Sequence, residues 1–230
     1  MAEVKEKKPH YLGHRKRLRE RFLKSGGKGM EDYEILEMLL FASKPRSDVK
    51  PLAKELVSKF GNMAAVLSAP PNELGNLGGM SDGAIASLKV AREAAVRMLA
   101  ADIEDKPILQ SWKNVLEYCR ASMSFNKTEQ FRIFFLDKKN KLIADELQQE
   151  GTVDHTPVYP REVVKRALEL GASSIILVHN HPSGDPTPSK ADVKMTEQIV
   201  MAAASLGVEV HDHLIVAGKK HYSFTSHGLI

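Results

Sequence analysis

Ser174-Ile175-Ile176-Leu177-Val178-His179-Asn180-His181-Pro182-Ser183-Gly184-Asp185-Pro186-Thr187-Pro188-Ser189-Lys190-Ala191-Asp192 is the stretch that decides the reading. The run from Ser174 to Val178 has the length and composition of a buried strand. Residues two apart on a strand project to one face, so His179 and His181 aim two imidazoles at one point while Asn180 faces away. Three prolines and a glycine forbid regular structure from Pro182 to Pro188. Ser189 then has the character of a helix N-cap, with Asp192 in the first turn. The loop between can bring that carboxylate back beside the imidazoles. Two histidines and a carboxylate form a catalytic zinc set with a fourth position left for water. The plainer alternative is that Asp192 only caps its helix and the histidines hydrogen-bond the loop. Asp185, placed before Pro186, reads as the start of a turn.

Upstream and downstream of this stretch, strands alternate with helices. Glu129 to Asp137 reads as a strand, Lys138-Lys139-Asn140 as a turn and Lys141 to about Glu150 as a partner strand. Pro160 opens a helix with Val163, Val164, Ala167 and Leu168 inward, stopped by Gly171. A helix from Ser189 to Leu206 follows, then a strand from Val208 to Val216 and a short last strand near Tyr222. This pattern predicts an α+β or α/β domain over residues 108–230. Asp102 to Pro107 is polar and ends in proline, so residues 102–107 read as a linker. Ser111 is placed to cap a helix carrying Trp112, Val115, Leu116 and Cys119.

Residues 29–101 read as helical. Ile35, Leu36, Leu39 and Leu40 share a helix face, and Asp48 can cap a second helix that has Pro51 in its first turn and Gly61 after its end. Met63 to Leu67 makes a third, short helix. Leu77-Gly78-Gly79-Met80-Ser81-Asp82-Gly83-Ala84 precedes a long helix and resembles a helix-hairpin-helix, in which backbone N–H groups meet a DNA phosphate. Ser81 replaces the second turn glycine, and the hairpin has no lysine.

Composition bounds the class. The chain has 230 residues, 43% of them hydrophobic and 27% charged, which suits globular protein rather than a disordered or membrane chain. Cys119 is the single cysteine, so no internal disulfide forms, and a reducing cytoplasm is the expected location. The N-terminus is charged, which predicts no signal peptide, and no apolar run approaches the roughly 20 residues that span a bilayer. Residues 1–28 form a basic arm with ten Lys and Arg against three Glu, a net +7 in a chain of +4. Such an arm can meet DNA phosphates weakly and without sequence preference. The alternative is a helix from His14 to Lys24 that docks through Leu18 and Phe22.

A hydrolytic zinc site needs a carboxylate to move the proton of water. Glu129, Glu146 and Glu150 are all on the first two strands, and spacing does not choose among them. His211-Asp212-His213 offers a rival histidine pair on a neighbouring strand; His213 also reads as a core or ligand-supporting histidine. His155 and His221 have no partner that the sequence names.

His-x-His-Pro, seven residues to Ser189 and two more to Asp192 resembles the JAMM motif of MPN-domain metalloproteases. The fuller string HNHPSGDPTPSKAD resembles the bacterial RadC family over nearly the whole chain, most specifically from Glu129 onward. Asn180 stands where the JAMM pattern usually has Ser or Thr. The resemblance implies an MPN-type mixed sheet flanked by helices, one zinc per chain on His179, His181 and Asp192, Glu129 as the base and Ser189 beside the water or oxyanion. It implies hydrolysis of an amide bond in a protein or peptide. The competing class is a DNA-associated protein in which zinc is only structural.

Overall fold

The computed structural model describes residues 13–104, 106–151 and 158–230, and its chain divides into two compact units between Glu93 and Ala94. The start of the basic arm through residue 12, and His155, lie outside the described residues. The first unit is helical: α1 (His14–Ser25), α2 (Asp32–Ser43), α3 (Lys50–Phe60), α4 (Met63–Ser68), α5 (Pro71–Gly75) and the start of α6 (Asp82–Glu104). A capping box between Glu31 and Glu34 opens α2, and Gly61, at φ 96°, ends α3. Asp48 Oδ1 accepts the Lys50 N–H at 3.0 Å. Leu36, Leu40, Leu52, Leu56, Leu74 and Leu88 fill the core. The docking alternative for the arm helix holds in one respect, because Leu18 is buried. Arg15 donates to the carbonyls of Phe41, Lys44 and Ser47, and Arg21 pairs with Glu34, so both guanidinium groups are engaged within the unit. Glu37 is fully buried against His14 Nε2, 2.7 Å away, a pairing that helical periodicity does not reveal.

The second unit is built on one mixed sheet. β1 (Glu129–Leu136) runs antiparallel to β2 (Leu142–Gly151) and to β3 (Ser174–Asn180). β3 pairs parallel with β4 (Glu209–Ala217), and β5 (Lys220–Ser223) closes the order β2-β1-β3-β4-β5. β3 is central and buried at all seven positions, as its apolar run predicts. α8 (Pro160–Glu169) and α9 (Lys190–Ala204) pack on Phe131, Ile133, Ile175 and Leu177, which alternate onto one face. α7 (Trp112–Met123) covers the other face through Val115, Cys119 and Met123, against Phe134, Ile176 and Leu214. Cys119 is fully buried, and burial pushes its thiol pKa upward, so it is a core residue and a poor nucleophile. Among the described residues no helix is long and apolar enough to cross a membrane.

Two local expectations are corrected. Ser111 does not cap α7: its hydroxyl turns back onto the carbonyls of Pro107 and Ile108 in a short 3-10 turn, a local bond that competes with capping. Leu168 is 51% exposed, because Val163, Val164 and Ala167 already complete the buried face of α8 and the next residue rotates away.

These positions should separate in an unfolding experiment. Phe134→Ala removes a fully buried ring and is expected to cost about 3–5 kcal/mol, while Leu168→Ala should stay within about 0.5 kcal/mol of wild type. Denaturant unfolding followed by tryptophan fluorescence, which reports Trp112 on α7, reads both. Equal losses would contradict this packing.

Candidate metal centre

β3 ends at the centre of the sheet, and His179, on its last turn of alternation, points to the face covered by α9. His181 follows one residue beyond the strand. Its backbone N–H still bonds Val216 on β4 at 2.9 Å, which fixes where the ring begins. The loop returns to Ser189, and a capping box starts α9: the Ser189 hydroxyl accepts the Asp192 N–H at 3.1 Å, and Asp192 Oδ2 accepts the Ser189 N–H at 2.7 Å. The same carboxylate faces the imidazoles, with Oδ1 3.5 Å from His179 Nε2 and Oδ2 3.6 Å from His181 Nε2. Capping and convergence are therefore both true of Asp192. The ligand-type atoms of His179, His181 and Asp192 lie within 4.8 Å of one another, the only such group of three among the described residues.

Hydrogen bonding fixes which ring nitrogens carry protons. Thr196, one turn after Asp192 on α9, donates its hydroxyl hydrogen to the Asp192 carbonyl at 2.6 Å. Its oxygen must then accept from His213 Nδ1, also 2.6 Å away. Burial holds His213 far below its ordinary pKa, with the nearby His179 adding to the effect, so the ring is neutral and Nε2 is an acceptor. His179 Nδ1, 2.7 Å from that atom, is the donor. Burial also pushes the pKa of His179 down to about 4, so His179 Nε2 keeps a bare lone pair. His181 Nδ1 donates to the Asp185 carbonyl at 2.8 Å, which leaves the lone pair of a neutral His181 on Nε2 as well. The two Nε2 atoms stand 2.9 Å apart. A proton on His181 or a cation between the two nitrogens would relieve that approach, and the N, N, O donor set fits a divalent metal of the zinc type. The carboxylate of Asp192 pulls the pKa of His181 up against the effect of burial, and the charge of Glu129 adds to this. Burial opposes ionisation of Asp192, but the two histidines and Ser189 draw it well below the carboxylate range.

Of the three candidate bases, only Glu129 reaches this place. It is the first residue of β1, two before Phe131, whose cross-strand partner is His179. Glu146 pairs instead with Ile133 further down the sheet and is held by the Arg166 guanidinium at 2.6–3.0 Å. Glu150 pairs with Gln130, whose side chain alternates to the opposite face, and accepts from Gln130 Nε2 at 3.1 Å. The rival pair His211 and His213 does not converge. A register slip between Ile175 and Ile176 leaves His211 unmatched, so Asp212 turns away and His213 turns toward His179. His211 bonds Glu209 and Asn140 instead. His221 meets Arg120 at 3.2 Å.

Asn180, facing away from the cluster as expected, has a use the strand pattern does not show. It is fully buried; its Oδ1 accepts the Gln130 N–H at 2.8 Å and its Nδ2 donates to the Thr128 carbonyl at 3.1 Å. Both peptide groups that flank Glu129 are thus tied to the residue between the two histidines. Thr196 was findable in principle from its four-residue offset to Asp192; the Asp185 carbonyl carries no sequence signal.

A family model described as a RadC-like JAB domain matches residues 109–229, the whole of the cluster and its supports. The chain belongs to the RadC family. A curated relative from Rhodobacter capsulatus, described as a UPF0758 protein, is 54% identical over 213 residues, which is 93% of this chain and 100% of that protein. The five-stranded mixed sheet flanked by helices agrees with the JAB type of fold that the RadC family model describes.

Zinc titration tests the centre. About one zinc per chain is expected, lost in His179→Ala with His181→Ala and kept in His211→Ala. Thr196→Val removes the group that orients His213 and should weaken zinc about 10- to 100-fold. Occupancy should fall below about pH 6, because protons then compete for imidazole lone pairs. Elemental analysis and chelator competition read all four; undiminished zinc in the double variant would refute the assignment.

Proposed function

We propose that this RadC family member is a zinc-dependent hydrolase that cleaves an amide bond in a protein or peptide. The observation that carries this reading is the two Nε2 atoms 2.9 Å apart and the Asp192 carboxylate, gathered beside Glu129. Zinc held by His179, His181 and Asp192 would supply a Lewis acid that brings the pKa of water toward about 7. Glu129 takes the proton of the attacking water and returns it to the leaving amine. Asn180 keeps the peptides on both sides of Glu129 in place, so the carboxylate stays in register with the histidines. Ser189 accepts the Asp192 N–H with one lone pair and retains its O–H to donate to the developing oxyanion. The resemblance to JAMM metalloproteases supports the same assignment of roles.

The experiment is incubation of the zinc-loaded full chain with a proteome-derived peptide library, with new N-termini read by mass spectrometry. Glu129→Gln should lower the rate by about 10² to 10⁴ while zinc content and thermal stability hold. Glu146→Gln and Glu150→Gln should cleave at close to the wild-type rate. A fully active Glu129→Gln would remove it as the base. No new termini from wild type, together with DNA binding that weakens steeply with salt, would favour the DNA-associated class instead.

A further inference from the structure

Two depressions meet at the cluster, and they differ in chemistry. One is a pocket of about 230 Å³ walled by Phe131, Val158, Ala191 and Met195, with Gln149, Gln198 and the exposed Lys194 also contributing to its lining. His179, Asp192 and Glu129 line it as well. The other is a wider cleft of about 730 Å³ lined by Lys127, Ser183, Ser189 and Lys190 together with His181. Glu129, Gly151, Ala191 and Asp192 belong to the walls of both. A chain that crosses from one depression to the other therefore lays its backbone over Glu129 and the ligand atoms.

We propose that the smaller depression is a specificity pocket for one apolar side chain, on one side only of the bond to be cleaved; this rests on the hydrolase reading. The volume is below the roughly 300–1,000 Å³ of pockets that hold whole small molecules, which suits a single side chain. The four apolar walls come from three places in the chain: Phe131 from β1, Ala191 and Met195 from α9, and Val158 just before α8. Phe131 also stacks on the His179 ring, with centroids 6.0 Å apart and planes 19° from parallel, so the apolar floor runs directly into a ligand. A polar side chain set against those four walls would lose water without gaining a partner from them, and the exposed Lys194 in the lining repels a cation. Lys127, Lys190, Ser183 and Ser189 make the lining of the other cleft more polar, so it places no comparable apolar requirement on the other flank of the substrate.

The test uses the zinc-loaded full chain and the same peptide library, now reading residue preference around each cut. Leu, Met and Phe should exceed Ser and Lys by about tenfold to a hundredfold at one position flanking the cut, with no comparable preference across it. Met195→Trp fills the pocket and should move the preference to Gly and Ala, with zinc content unchanged. Met195→Ala enlarges it and should move the preference toward Phe and Trp, which keeps the test valid where the tryptophan variant does not fold. Cleavage with no preference, or a preference that neither variant moves, overturns the pocket and leaves the hydrolase reading standing. Absence of cleavage by wild type overturns the hydrolase reading and the pocket with it.

Discussion

Two imidazole nitrogens are held 2.9 Å apart beside an ionised carboxylate, and the surrounding fold is arranged to keep them so. A buried polar group without a partner costs free energy, so the arrangement favours a proton or a cation between the two nitrogens. Protonating His179 is one escape, and burial blocks it by lowering its pKa to about 4; the Asp192 carboxylate favours the proton on His181 instead. Rotating the ring is the other escape. It is blocked by the bond to His213, which is itself held by Thr196, which is held by the main chain of α9. Each donor in that series has one acceptor, which ties the three side chains together.

The sheet order explains how so many elements converge. β3 carries the histidines in the centre, β1 brings Glu129 on one side and β4 brings His213 on the other. α9 crosses over the same face with Asp192 and Thr196 one turn apart. The junction between β1 and β3 is reinforced above the last pair of strand residues by Asn180, a side chain doing the work of a ladder. A hydroxyl from the Ser or Thr more usual in the JAMM pattern is shorter and has one hydrogen to donate, whereas the carboxamide offers both a carbonyl and an NH₂. That difference accounts physically for the departure at this position.

Much of this is legible in the sequence. The two-residue period of a strand aligned His179 with His181, and the N-cap pattern at Ser189 put Asp192 in reach, so the cluster followed from local rules alone. The choice among Glu129, Glu146 and Glu150 did not, because it depends on which residues of β1, β2 and β3 stand opposite one another. Hydrophobic alternation fixes faces but not register across strands. His213 was ambiguous for a sharper reason: one unmatched residue at His211 reverses the alternation of β4, and no residue type announces the slip. Leu168 failed as a core residue because apolar composition near a helix end cannot tell the last buried position from the first exposed one. The pocket walls at Phe131, Val158 and Met195 are scattered over 64 positions of sequence and become one surface only through the fold.

Asp192 has a reason for its orientation that does not depend on a metal. Its Oδ2 accepts the N–H of Ser189, a bond that α9 needs at its first turn whatever else happens. Satisfying that bond orients the carboxylate, and the orientation leaves Oδ1 facing His179. The helix start and the ligand position are thus one geometric fact. Small zinc domains acquire their structure only when the ion arrives, since the ligands have no other reason to meet. Here the strand pairing, the cap and the Thr196–His213 series each have such a reason. Ligand convergence is thereby bound to the stability of the sheet and of α9, and the free energy of metal binding need not be used to assemble the site.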